Sequence, residues 1–130
     1  MKLVVEEEGT RTTQEAASNA FSVATSVISY VEARAALARM RASGRIDARG
    51  LRTSRRYLDH IWLDLLSVPS DDEVLAAAAD LADQYALRGY DAVQLAAAAS
   101  LRRAGDVLFA CFDADLNVAA RRAGFELATA

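Results

Sequence analysis

Apolar positions along the chain follow two periods, one typical of strands and one typical of helices. Short apolar runs rich in β-branched or aromatic residues predict strands, and longer stretches with apolar positions three and four residues apart predict amphipathic helices. The predicted strands cover 21–25, 66–70, 106–112 and 125–129. The predicted helices cover 11–20, 26–44, 47–66, 73–87, 91–105 and 114–124. Because helices separate the strands, this order favours an α/β fold with a mainly parallel sheet.

Glycine and aspartate mark where several of these elements begin and end. Gly44 is expected to end the first long helix, and Gly89 is expected to separate the two alanine-rich helices. Asp71 stands where the positive end of the helix dipole favours an acid. The run 106–112, DVLFACF, is the strongest predicted strand in the chain.

Composition narrows the class of protein. A chain of 130 residues with 53% hydrophobic and 25% charged residues is typical of one globular domain. No apolar run approaches the ~18–20 residues of a membrane span. Cys111 is the only cysteine, which excludes an internal disulfide and favours the reducing cytoplasm. His60 is the only histidine, so a Cys/His zinc site is excluded as well.

Charge leaves two interpretations open. The net charge of −3 argues against a polyanion binder that relies on bulk electrostatics. Lys2 is the only lysine, however, and arginines occur in the pairs 55–56, 102–103 and 121–122. Paired arginines suit bidentate phosphate contacts, but they also occur on ordinary helix surfaces. Motifs of phosphate-binding loops and nucleophile elbows are absent from the sequence.

Three acids from distant segments stand near the ends of predicted strands or helices. Asp113 directly follows 106–112, Glu32 lies about two turns into 26–44, and Asp91 begins 91–105. Ligands of parallel sheets bind beyond the carboxyl ends of strands, so these side chains are expected in one crevice. Gathered carboxylates repel each other unless a cation neutralises them. Oxygen ligands suit Mg²⁺ or Mn²⁺, and such ions activate water for phosphodiester hydrolysis.

Each acid also has a purely structural interpretation. Asp91 is suited to cap its helix, Asp113 to form a turn after the strand, and Glu32 to pair with a nearby arginine. Asp115 is more typical of an acid in the first turn of a helix. The residue pattern alone therefore leaves the metal site and these structural roles open.

Two long segments of the chain resemble the PIN-domain ribonucleases of the VapC toxin type. One is SVPSDDEVLAAAADLADQYALRGYDAVQLAAAASLRRAG, followed by VLFACFDADLNVAARRAGFEL, and the other is VATSVISYVEARAALARM. The resemblance covers essentially the whole chain. It implies a PIN-like three-layer α/β/α sandwich whose first strand is central in the sheet, flanked by the second and fourth.

The resemblance also implies a function. Such a protein is a metal-dependent endoribonuclease, the toxin component of a type II toxin–antitoxin system, with RNA as substrate and Mg²⁺ or Mn²⁺ as cofactor. A VapB-like antitoxin silences it. A homodimer is expected, and the apolar residues Tyr57, Ile61 and Trp62 offer a surface for it.

The acids of the family fall on residues already singled out. The second family acid falls on Glu32, the third on Asp91 and the fourth on Asp113, and these three are the expected catalytic and metal-binding residues. Asp115 is a weaker candidate ligand without a firm counterpart. Gln94 stands where relatives often carry a histidine that is not a metal ligand.

The family pattern begins with a strand that carries the first catalytic aspartate, whereas this sequence begins MKLVVEEEGT. We therefore expect a single PIN-like domain over residues 1–130 that is incomplete at its N-terminus and lacks the central strand. Either translation starts further upstream, or the chain is truncated. A truncated chain would be a catalytically weak or inactive PIN-fold module that binds an antitoxin. A phosphoacceptor receiver domain would need a lysine after a late strand, where the chain has none.

Overall fold

The computed structural model describes residues 22–111 and 113–128, which divide into two units. Among the described residues the first comprises 22–23 and Ile28–Leu66, and we call Ile28–Leu66 the helical hairpin. Ala24–Val27 joins the described residues from Ser67 onward to form the second, which we call the α/β unit. No helix among the described residues is long and apolar enough to span a bilayer.

The helical hairpin consists of α1, Ile28–Ala42, and α2, Ala48–Asp64. Gly44 adopts φ +78° in the turn between them, a conformation that glycine tolerates and other residues rarely adopt. Asp47 caps α2 by accepting a hydrogen bond from the Gly50 backbone N–H at 2.7 Å. Leu37, Met40 and Leu58 fill the interior of the hairpin. Both helices and the glycine terminator confirm the sequence prediction.

Four short strands form two pairs. β1, Ala24–Ser26, pairs with β2, Leu66–Val68, and β3, Leu108–Phe109, pairs in parallel with β4, Glu126–Leu127. Short parallel strands between helices confirm the α/β fold class and the PIN-like fold. The expected absence of a first strand and the predicted helix 11–20 both concern a part of the chain outside the described residues.

The expectation of a strong strand over 106–112 is wrong, because β3 covers only two residues. Its single described partner, β4, is equally short, and Leu108 opposite Glu126 remains 52% exposed. An apolar run becomes a long strand only where partner strands satisfy its backbone groups over its whole length. Hydrophobic composition therefore indicated burial here, but it did not determine the length of the ladder.

Two alanine-rich helices pack side by side in the α/β unit. They are α3, Asp72–Tyr85, and α4, Gly89–Leu101, and the small buried residues Ala78, Ala92 and Ala96 lie between them. The expectation that Gly89 separates the two helices is wrong, because Gly89 is the first residue of α4.

A left-handed residue ends α3 instead. Ala86 adopts φ 53° and ψ 43°, and its N–H donates to the carbonyl of Ala82. The Leu87 N–H also donates to this carbonyl, at 3.2 Å. The chain thus leaves α3 three residues before Gly89, and the short connection brings Arg88 to the start of α4.

A second cluster holds the last helix, α5, Ala114–Arg122, in the α/β unit. Leu95 of α4, Leu116 of α5 and Phe125 share this cluster with Phe109 of β3. The rings of Phe109 and Phe125 lie 5.6 Å apart. Because α4 and α5 share this core, their first turns have fixed positions in the unit.

Candidate functional site

An open acidic pocket of about 340 Å³ lies at the first turns of α4 and α5. The connection from α3 to α4 and the two helix starts supply its lining, which consists of Ala86, Leu87, Arg88, Asp91, Asp113 and Asp115. The structure therefore brings three of the four predicted acids to one place. All three belong to the α/β unit.

Asp91 is the most buried acid of the pocket. Its side chain is only 12% exposed, and its Oδ2 accepts a hydrogen bond from Arg88 Nε at 3.0 Å. The interpretation of Asp91 as the helix cap is wrong, because Arg88 occupies the cap position, and its side chain makes no capping hydrogen bond. The positive end of the helix dipole favours a carboxylate at this position.

The two carboxylate oxygens of Asp113 accept hydrogen bonds from different donors. Oδ1 caps α5 by accepting a hydrogen bond from the Leu116 N–H at 2.9 Å, and Oδ2 accepts one from Arg88 Nη2 at 3.4 Å. Its backbone N–H donates to Cys111 Sγ at 3.3 Å, and Asn117 Nδ2 donates to the Cys111 carbonyl at 2.9 Å. Cys111 and Asn117 therefore hold the loop that carries Asp113.

Asp115 and Glu32 complete the predicted set. Asp115 lies in the first turn of α5, is exposed and lines the pocket. Glu32 lies in the second turn of α1, in the helical hairpin, where it is half-buried. A role for Glu32 beside the other acids stays a prediction.

Sequence reasoning missed Arg88. Its guanidinium bonds to both Asp91 and Asp113, and its centre lies 5.2 Å from the ring of Tyr90. The hydrogen bond to Asp91, followed by the attraction of that carboxylate, raises the pKa of Arg88, which keeps the guanidinium charged. The detectable signal was an arginine three residues before Asp91, since residues at this spacing are neighbours on a helix.

Two arginines considered for phosphate binding have structural contacts instead. Arg102 stacks on the ring of Phe125 at 3.4 Å and donates to the Ala123 carbonyl at 2.8 Å. Arg103 pairs with Glu73 at 2.8 Å. Arg102 thus holds the segment after α5, whereas Arg103 forms an exposed ion pair with the first turn of α3.

The chemistry of the pocket suits a hard divalent cation, but its present arrangement is not a ready metal site. Three carboxylates and one guanidinium leave a formal charge of −2, which one divalent cation would neutralise. Carboxylate oxygens are the preferred ligands of Mg²⁺ and Mn²⁺. Within residues 22–111 and 113–128, however, no three acidic, histidine or cysteine side chains are gathered closely enough to hold a metal. Arg88 instead joins Asp91 to Asp113.

Comparison with known families gives this pocket a context. The sequence profile described as the PIN domain matches residues 1–122. The chain belongs to the PIN-domain family. PIN domains are generally metal-dependent nucleases, and this nuclease fold is often found in toxin–antitoxin systems. A comparison with curated protein sequences found no match.

Proposed function

We propose that this PIN domain is an endoribonuclease that depends on Mg²⁺ or Mn²⁺ and acts as the toxin of a type II toxin–antitoxin system. One observation carries the nuclease proposal: Asp91, Asp113 and Asp115 line one pocket of a PIN-family chain. The toxin role rests on the resemblance of the sequence to VapC-type proteins.

Each acid has a distinct proposed role. Glu32, Asp91 and Asp113 would hold the divalent ion, and Asp115 would assist from the rim of the pocket. When bound, the ion supplies the positive charge that activates water and stabilises the developing charge of phosphodiester hydrolysis. The burial of Asp91 and the cap bond of Asp113 fix these carboxylates before any ligand arrives.

The charge of the helical hairpin supports RNA as the substrate. Residues 28–66 contain eight arginines and four acids, which gives a formal charge of +4 in a chain of net charge −3. Arg49, Arg52 and Arg56 are exposed and follow one face of α2 at spacings of three and four residues. Arginines in such a row suit successive phosphates of an RNA backbone.

Further proposals concern partners and location. The resemblance supports a VapB-like antitoxin, a homodimer and a cytoplasmic location.

The proposed dimer surface lies on the hairpin, where Tyr57 is 47% exposed and Ile61 and Trp62 are half-buried. Light scattering of the purified protein measures the mass directly. A monomer at working concentration would argue against the dimer proposal.

Cleavage of a labelled structured RNA with Mn²⁺, compared with EDTA, tests the proposed activity. Asp113→Asn is the informative variant, because asparagine keeps the helix cap but removes the negative charge. We expect the loss of activity to exceed the about ten- to hundredfold that follows removal of an outer-shell partner of a metal site, because Asp113 is proposed as a direct ligand. Asp71→Asn is the matched control, since Asp71 caps α3 outside the pocket in the same way. This control should retain full activity.

The outcomes separate the nuclease from the alternative function. RNA cleavage that EDTA and Asp113→Asn abolish supports the nuclease and its metal dependence. A folded chain that neither cleaves RNA nor binds Mn²⁺ would contradict it and favour the catalytically inactive module that binds an antitoxin. Equal activity of Asp113→Asn and the wild type would remove Asp113 from the site and leave it only its cap role.

A further inference from the structure

Arg88 occupies the position in the pocket where a cation is needed. Its Nε donates a hydrogen bond to Asp91 Oδ2 at 3.0 Å, and its Nη2 donates one to Asp113 Oδ2 at 3.4 Å. The two acids are 22 positions apart in the sequence. One side chain thus joins the two helix starts that carry the candidate metal ligands.

We propose that Arg88 is a resident counter-ion: it holds Asp91 and Asp113 together before a divalent cation binds, and it competes with that cation for their Oδ2 atoms. This inference rests on the proposed metal-dependent function. In this role Arg88 is a positioning residue that sets the concentration of Mg²⁺ or Mn²⁺ at which the site becomes occupied.

Competition follows from the shared oxygens. A hard divalent cation such as Mg²⁺ contacts carboxylate oxygens at about 2.0–2.1 Å, closer than the hydrogen bonds that now reach them. A guanidinium and a divalent cation on the same two oxygens would also repel each other. When a divalent cation binds through both Oδ2 atoms, this repulsion favours the departure of Arg88 from at least one of them.

The surroundings of Arg88 allow this exchange. Its side chain is 62% exposed, so the ion pairs face solvent and contribute little to stability. Its side chain makes no capping bond to α4, and the ring of Tyr90 offers a second contact at 5.2 Å. Arg102 shows the contrast, because its guanidinium lies on Phe125 at 3.4 Å and bonds to a backbone carbonyl.

Calorimetric titration of the metal-free protein with Mn²⁺, in the absence of RNA, tests the proposal independently of activity. In Arg88→Gln, the three carboxylates lose their counter-charge. We expect the dissociation constant for Mn²⁺ to fall about three- to tenfold, because one positive charge has been removed from beside the ligands. Arg103→Gln removes the same charge from the pair with Glu73, outside the pocket, and should leave Mn²⁺ binding unchanged.

Arg88→Lys guards against a folding defect in the first variant. Lysine keeps the charge but lacks the planar fork that bonds to two carboxylates at once. We expect its Mn²⁺ affinity to lie between those of the wild type and Arg88→Gln. Because Arg88→Gln is expected to bind Mn²⁺ more tightly, a given Mn²⁺ concentration should raise its melting temperature by more than it raises that of the wild type.

Two negative results have different meanings. If the wild type binds Mn²⁺ and both Arg88 variants bind it equally or more weakly, the competition is refuted and the metal-dependent function stands. If the folded wild type binds no Mn²⁺, the proposed metal dependence fails and the competition fails with it.

Discussion

Ala86 ends α3 in the left-handed region at φ 53°, which is unfavourable for an L-residue with a Cβ atom. Its side chain is exposed, so no buried contact depends on the methyl group. Ala86 also lines the acidic pocket, next to Leu87 and Arg88. The backbone conformation at this residue determines where the chain turns from α3 towards the site.

We expect Ala86→Gly to raise the free energy of unfolding by about 0.5 kcal/mol. Relief of about 1–2 kcal/mol of left-handed strain exceeds the cost of about 0.4–1 kcal/mol for the greater freedom of glycine in the unfolded chain. Urea denaturation measures the difference. Ala76→Gly, at an exposed position inside α3, is the control and should lose about 1 kcal/mol. A destabilised Ala86→Gly would show that Ala86 is not strained.

At the scale of elements, α3 and α4 depend on small residues at their interface. Ala92 is 1% exposed and Ala96 is 2% exposed, and both pack with Val74 and Ala78 of α3. Alanine at these positions allows the two helix backbones to approach closely. Because Asp91 directly precedes Ala92, the packing of this interface also fixes the most buried acid of the pocket.

Ala92→Leu tests this packing. The additional carbons have no space between the helices, so we expect a loss of about 1–3 kcal/mol in the free energy of unfolding. Ala76→Leu adds the same atoms on the exposed side of α3 and should change stability by no more than about 0.5 kcal/mol. Equal denaturation midpoints for the two variants would mean that the interface between α3 and α4 can accommodate a leucine side chain.

At the scale of the whole molecule, charge is distributed unevenly along the chain. The hairpin residues 28–66 have a formal charge of +4, whereas residues 67–128, with five arginines and ten acids, have −5. The net charge of −3 conceals this division. Under the proposed function, RNA binding is therefore expected to depend on the arginines of the hairpin, and cation binding chiefly on the acids of the α/β unit.

The triple variant Arg49→Gln, Arg52→Gln, Arg56→Gln tests the hairpin as the RNA-binding element. In EDTA, where cleavage is prevented, we expect weaker RNA binding. The plot of log K against log salt has a negative slope, and its magnitude should decrease by about 2. Three phosphate contacts are lost, and each contact on a single strand contributes about 0.7. Filter binding over a range of salt concentrations measures both effects.

A second triple variant controls for charge alone. Arg103, Arg121 and Arg122 are exposed outside the hairpin, and their replacement by glutamine removes the same total charge. The salt slope of this control should stay close to that of the wild type. If both triple variants weaken binding equally, net charge rather than the α2 row governs RNA binding.

The sequence by itself determined the helices, the α/β class and the candidate acids Glu32, Asp91 and Asp113. Periodicity, the glycine at 44 and the acid at Asp71 act over a few residues, so they can be recognised without the fold. The order of the segments also sufficed for the family resemblance. The position of Asp113 directly before an amphipathic helix correctly indicated the start of α5.

Only the tertiary structure decided the length of β3, the end of α3 at Ala86 and the place of Arg88. The length of a strand depends on the partner that satisfies its backbone groups, and β4 pairs with only two residues of β3. Arg88 reaches Asp113 across 25 positions of sequence because α4 and α5 share one core. The sequence therefore supplied the carboxylates, and the packing of two helices placed the Arg88 guanidinium between them.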